Sequence, residues 1–207
     1  MVALSSFRPF DKCTDEIKNN QIKAFRTWLT AFDRIVLFGN PCFELSSCKS
    51  EFTPCDAKPS IAEISRMAAT FQSWSCIVNA DIIIDGQKLR EVQWKLCKRR
   101  CECALSRRWD TEKKMIIDGG LDWFAATPKV WEHVAKVIPQ SFCLGRIVFD
   151  TWLASFFSIE YRSKCADCSE ARFVWHPSHG GRTDQNFDVP TNDPYLRNTM
   201  WPGISIL

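Results

Sequence analysis

The sequence predicts an α/β fold: a single three-layer domain with a mostly parallel central sheet and helices on both faces. Three observations predict it. Short β-branched runs alternate along the chain with stretches of helical period, separated by turn or capping residues. One run, Ile77 to Ile84 within SCIVNADIIIDG, is apolar without strict alternation, as a strand buried on both faces reads. At 207 residues the chain holds one substantial core and is short for two.

Taken in order, Val2 to Phe10 reads as a first strand that leaves the sheet into a loop carrying Arg8. Thr14 caps a helix with Asp15 and Glu16 in its first turn, where the helix dipole favours them. Ile17, Phe25, Trp28, Leu29 and Phe32 give that helix one apolar face. Arg34 to Phe38 is a second strand, stopped by Gly39-Asn40-Pro41. Phe43 to Lys58 has no periodicity and is expected to be a loop. Ser60-Ile61-Ala62-Glu63 is a capping box that starts a short helix through Ile64, Met67 and Ala68.

Ser75 to Gly86 is then the central strand around which the rest is organised. Leu89, Val92 and Leu96 mark the next helix, ending in Lys95, Lys98, Arg99 and Arg100. Cys101 to Leu105 is a strand running out into Ser106 to Asp110. Asp118 to Phe124 reads as a glycine turn followed by a short strand. Thr127-Pro128 opens a helix that Pro139 closes. The apolar spacing through Gly145 to Leu153 favours helix, and Ala171 to His176 is a last strand. The expected domain covers residues 1–180, with 181–207 a polar tail packed on or near the active site.

Composition is that of an ordinary globular protein, 45% hydrophobic and 25% charged. A net charge of +3 gives no reason to expect a nucleic acid partner. The amino terminus lacks the basic-then-apolar pattern of a signal peptide, and no apolar run reaches the roughly 18 residues of a membrane helix. Eleven cysteines, an odd and scattered set, are therefore expected to be mostly reduced and buried in a cytoplasmic protein.

Asn79-Ala80-Asp81 interrupts the central run with two polar side chains, which a strand would point to the same side. A carboxylate in an apolar strand needs hydrogen bonds or a cation. Satisfaction by backbone amides is one reading. A metal or phosphate site at the carboxyl end of a central strand is the other, because open α/β sheets bind ligands there.

Four stretches together resemble nucleotide-sugar-dependent glycosyltransferases of the GT-A type: SSFRPF with NQIKAFRTWL, RIVLFG, IVNADIII, and GGLDWFAATPKVWEHVAKVIPQSFCLGRIVFDTWL. The resemblance implies a nucleotide-sugar donor and an acceptor whose identity is open. It also implies a cation, Mn2+ or Mg2+, held by an Asp-any-Asp motif against the donor diphosphate. Asn79 and Asp81 match that motif in place, with an amide for the first carboxylate. That lowers the expected metal affinity and leaves metal-independent donor binding open. On the same resemblance Arg8, Arg107 and Arg108 are candidates for the phosphates. Asp150 and Asp122 are candidate catalytic bases, and His176 or His179 would complete the cation or diphosphate site.

Three other readings compete. Arg146 and Asp150, four apart on a helix, can be a plain ion pair. Cys165, Cys168, His176 and His179 form a zinc-like set that would make a stapled interaction module. A catalytically silent nucleotide-sugar or glycan binder on the same fold is the third, kept open by Asn79.

Overall fold

The computed structural model describes residues 1–40, 42–55, 58–144, 149–177, 193–197 and 205–206. Its strands are β1 (Val2–Ser6), β2 (Arg34–Phe38), β3 (Ser50–Thr53), β4 (Ser75–Val78), β5 (Ile83–Ile84), β6 (Cys103–Asp110), β7 (Ile116–Ala126), β8 (Cys165–Asp167), β9 (Val174–His176) and β10 (Ser205–Ile206). Its helices are α1 (Asp15–Ala31), α2 (Ile61–Thr70), α3 (Gly86–Lys98), α4 (Pro128–Val137), α5 (Phe149–Glu160) and α6 (Pro194–Arg197). The main sheet runs β10-β8-β6-β7-β4-β1-β2-β3. Along it only β7 runs against its neighbours, so the sheet is mostly parallel as expected.

Alternation along the strands builds two cores. Leu4, Val36, Ile77, Leu105 and Phe124 face α2, α4 and α5. Ala3, Ile35, Cys76, Ala104 and Trp123 face α1 and α3. The three-layer architecture follows from that division. Fully buried Phe157 and Trp131 meet edge to face in the first core, and truncating either to Ala would cost roughly 3–5 kcal/mol. Two indoles bracket the central strand: Trp131 Nε1 donates to the carbonyl of Ser75, and Trp28 Nε1 to that of Ile82.

Local signals placed the helices. Thr14 Oγ1 accepts from the Ile17 amide, and the Ser60–Glu63 box is formed in both directions. Asp85 caps α3 through the amides of Gln87 and Lys88. That helix ends in a Schellman arrangement, with Cys101 N bonded to Leu96 O and Arg100 N to Cys97 O. Arg100 occupies the left-handed position at φ 56°, where glycine is usual, at a cost of about 1–2 kcal/mol.

Several expectations are corrected. The organising run is not one strand: it stops at Val78, turns through an Ile82 N to Asn79 O bond, and leaves as β5 to pair with β9. Asn and Asp favour such a turn, which takes the carboxylate of Asp81 out of the apolar layer instead of burying it. Asn79 and Asp81 are therefore not neighbours on one strand face. The stretch from Phe43 contains β3, a half-buried edge strand whose polar residues give no alternation. Asp118 to Phe124 is not a turn before a strand but the interior of the long β7. Cys165 to Asp167 is a strand, with Cys165 in one core and Cys168 in the other, so the zinc-like set is not gathered at one point. Arg146 and His179 lie outside the described residues.

All eleven cysteines are free thiols, and burial pushes the Cys76 thiol up to about 12. Among the described residues no helix is long and apolar enough to cross a membrane. In the tail, Tyr195 and Leu196 pack against α5, Trp152 Nε1 donates to the Asp193 carboxylate, and β10 adds to β8.

Candidate functional site

The site is built by topology. The chain leaves β1 toward β2 on one side and returns through α2 to β4 on the other, so the β1/β4 boundary is a switch point. Arg8 emerges just beyond β1, and Asn79 to Asp81 just beyond β4. Arg107, Arg108 and Asp110 end β6, and His176 ends β9, at this same carboxyl edge. Because β7 runs in reverse, it enters from that edge and brings Asp122 to it.

The buried half of the site centres on Asp122, 4% exposed. Its carboxylate accepts from Arg108 Nη1 at 2.7 Å and from Asn79 Nδ2, and its carbonyl accepts from the Asn79 amide at 3.3 Å. Asn79 thus faces a carboxylate as a donor, a role an aspartate at this position could not take. Arg108 reaches Asp122 by lying across Gly120, where an added Cβ would stand 2.4 Å from its Nε. The Nε atoms of Arg107 and Arg108 are buried without a hydrogen-bond partner among the described residues.

Asp150 sits in the first turn of α5, its Oδ1 accepting from the Thr151 amide. Burial first, then the nearby negative charge of Asp122, raises its carboxyl to about 6, against the lowering pull of its helix-start hydrogen bond and of Arg108. Asp122 and Arg108 are thus near enough to act on its charge.

The open half is looser. His176 Nε2 stands 3.5 Å from Asp81 Oδ2. Arg8 is exposed, and its backbone is stapled at both ends by Gln21, whose Oε1 accepts from Arg8 N and whose Nε2 donates to Arg8 O. Of the predicted site residues, the structure joins Asn79, Arg108 and Asp122 by hydrogen bonds, sets Asp150 within electrostatic reach of them, and pairs Asp81 with His176. It places Arg8 and Arg107 on the same edge, without an ion pair among the described residues.

Residues missed from sequence also matter. Asp110 is buried and caps the β6–β7 turn through the amides of Glu112 and Lys113. Gln21 and Gly120 were not singled out, although a glycine within a strand does signal close approach. A cavity of about 440 Å³ lies elsewhere, between β2, β3 and α2, lined by Phe38, Thr53, Arg66 and Met67. None of the clustered residues lines it, and the chemistry is better sought at the switch point.

These features define a GT-A-like fold with its polar residues gathered at the carboxyl edge of the sheet. The resemblance to solved structures is one of fold. TarS residues 1–349 from S. aureus, in complex with UDP-GlcNAc, superposes with a TM-score of 0.58 at 8% identity, covering 90% of this chain and 61% of that one. A putative glucose-1-phosphate thymidylyltransferase from Bacillus anthracis, in complex with a sucrose, gives 0.51 at 9% identity, with 87% of each chain covered. The chain thus spans about three fifths of the TarS fragment. No family model and no curated protein matches the sequence.

Proposed function

We propose that the protein is a nucleotide-sugar-dependent glycosyltransferase that moves a sugar to an acceptor hydroxyl. The observation that carries this reading is the hydrogen-bonded set of Asp122, Arg108 and Asn79, with Asp150 in electrostatic reach, beside Asp81 and His176 at the switch point of a fold whose neighbour binds UDP-GlcNAc. In the reaction the acceptor oxygen attacks the anomeric carbon, the bond to the diphosphate oxygen breaks, and the nucleoside diphosphate leaves with that electron pair. Asp150 takes the acceptor proton, for which a carboxyl near 6 is a stronger base than an ordinary one. Asp122, fixed by Arg108 and Asn79, orients the acceptor side. Arg8 and Arg107 meet the charge that builds on the leaving phosphates.

The Asp81–His176 pair fits a divalent cation. A 3.5 Å spacing is close to that of two ligands lying about 2.1–2.3 Å from one ion. Two protein ligands suit Mn2+ or Mg2+ when donor phosphates supply others. Such an ion, when bound, neutralises the leaving diphosphate.

A panel of nucleotide sugars in a thermal-shift assay, with and without manganese, tests the reading, because a ligand of the native state raises apparent stability. A rise with at least one nucleotide sugar, larger with manganese, supports it. No shift with any nucleotide sugar at millimolar concentration overturns it. A silent binder on the same fold is a second reading, favoured by the commitment of Asn79 to Asp122. Donor binding without transfer or hydrolysis would select it.

A further inference from the structure

The exposed side of α3 carries a charge that the rest of the molecule does not. From Lys88 to Arg100 there are six basic residues and one acidic one, a formal +5 in a chain whose total is +3. All other residues together therefore sum to −2. The helix spends its apolar face, Leu89, Val92 and Leu96, on the core shared with α1. Trp94 instead points outward, 63% exposed, with Lys98 Nζ 4.9 Å from its ring centroid. Lys95, Lys98 and Arg100 have no carboxylate partner among the described residues, and nearby Glu102 is taken by Lys164. Arg100 holds the left-handed position that glycine would occupy more cheaply.

We propose that this surface docks the protein on an anionic lipid bilayer, with Trp94 seated at the headgroup level and the basic residues facing the lipid charges. An exposed indole with Lys98 over its ring, on a helix whose one acidic residue is Glu91, matches the interfacial region, where tryptophan is enriched and basic residues add attraction. The core-facing apolar stripe is already used, so only Trp94 can enter and the attachment is shallow and salt-sensitive. Nucleic acid is disfavoured because the patch is the convex outside of one helix, without a groove or successive stacking rings. The basic end of α3 also lies at the amino edge of the sheet, leaving the carboxyl edge uncovered. The inference is independent of the glycosyltransferase reading.

Co-sedimentation with vesicles tests it directly. The full chain should pellet with phosphatidylcholine vesicles containing about 30 mol% phosphatidylserine and not with phosphatidylcholine alone, and should be released by roughly 0.5 M salt. Trp94→Ala should lower partitioning, and the pair Lys95→Glu/Lys98→Glu should lower it by at least roughly 25-fold, about fivefold for each basic residue removed. Lys129→Glu/Lys136→Glu on α4 should change it far less. Arg100→Gly guards against misfolding as an explanation, because it relieves the left-handed backbone and should raise the melting temperature while weakening vesicle binding. Equal binding to neutral and anionic vesicles, or wild-type binding by Trp94→Ala and Arg100→Gly, overturns the proposal. So does tighter binding to a short DNA duplex that survives Trp94→Ala, which would assign the surface to nucleic acid.

Discussion

The two halves of the carboxyl edge are built on opposite principles. Around Asp122 the carboxylate itself is buried and its partners are already in place: the side chain and amide of Asn79, and Arg108. Around Asp81 the side chains are partly exposed, and the closest carboxylate–imidazole contact is 3.5 Å. The first half pays its ordering cost when the protein folds, as preorganised polar groups do. The second half can adjust when a charged ligand arrives. Under the proposed function, the first half would handle the proton and the second the phosphate.

The largest expected effect falls in the buried half. Asp150→Asn keeps the shape and removes the proton acceptor, so transfer should fall at least about a hundredfold in initial-rate assays while donor affinity stays near normal. Wild-type transfer should also decline as pH drops through about 6, where Asp150 becomes protonated. Transfer within a few-fold of wild type would move the role to Asp122.

Asn79→Asp sharpens the comparison further. Completing the carboxylate motif places a second negative group against Asp122 in place of a donor. The variant should lose roughly 1–3 kcal/mol in denaturant unfolding and gain little manganese dependence. A stable variant with stronger manganese dependence would show instead that position 79 belongs to the open half.

Asp81→Asn should weaken nucleotide-sugar binding more than tenfold, about 1.4 kcal/mol by calorimetry, with the melting temperature nearly unchanged. Unchanged affinity would return Asp81 to a structural partner of His176.

The smallest effect is a pH-linked one. The folded carboxyl of Asp150 is raised to about 6 from 3.8, so the native state binds the extra proton between those values. The penalty for its charge is present above about pH 6 and relieved as pH falls toward 3.8. Asp150→Asn should therefore be the more stable protein at pH 8, by about 1 kcal/mol after allowance for partial solvation, with the gap closing near pH 4. A gap independent of pH would mean the carboxyl is not buried as described.

What the sequence revealed followed from local chemistry. Thr14, Ser60 with Glu63, and Pro128 mark helix starts because each satisfies or omits an orphan amide, and all three starts are found where read. Asn79 and Asp81 could be nominated because polar residues inside an apolar run are conspicuous, and Asp122 and Asp150 because their segments resemble the acceptor side of GT-A transferases. Their partition into two clusters could not, since it depends on β7 being reversed and on β5 leaving the main sheet. Neither leaves a periodic signature over so few residues. β3 was invisible for a different reason: an edge strand half-buried on both sides has no apolar face to show.

The reversal of β7 also has a consequence for how the chain reaches its final state. β4 pairs with β1 early in the sequence, but its other edge is closed only by residues 123–126. A polypeptide ending between α3 and β7 would carry Ser75 to Val78 as an uncovered, wholly apolar-flanked edge in what should be the middle of the sheet. Such an edge recruits other chains. The growing protein is therefore most prone to aggregate across a defined interval, from the completion of β4 until β7 has emerged from the ribosome, and fragments cut within residues 86–115 should aggregate more readily than the whole chain.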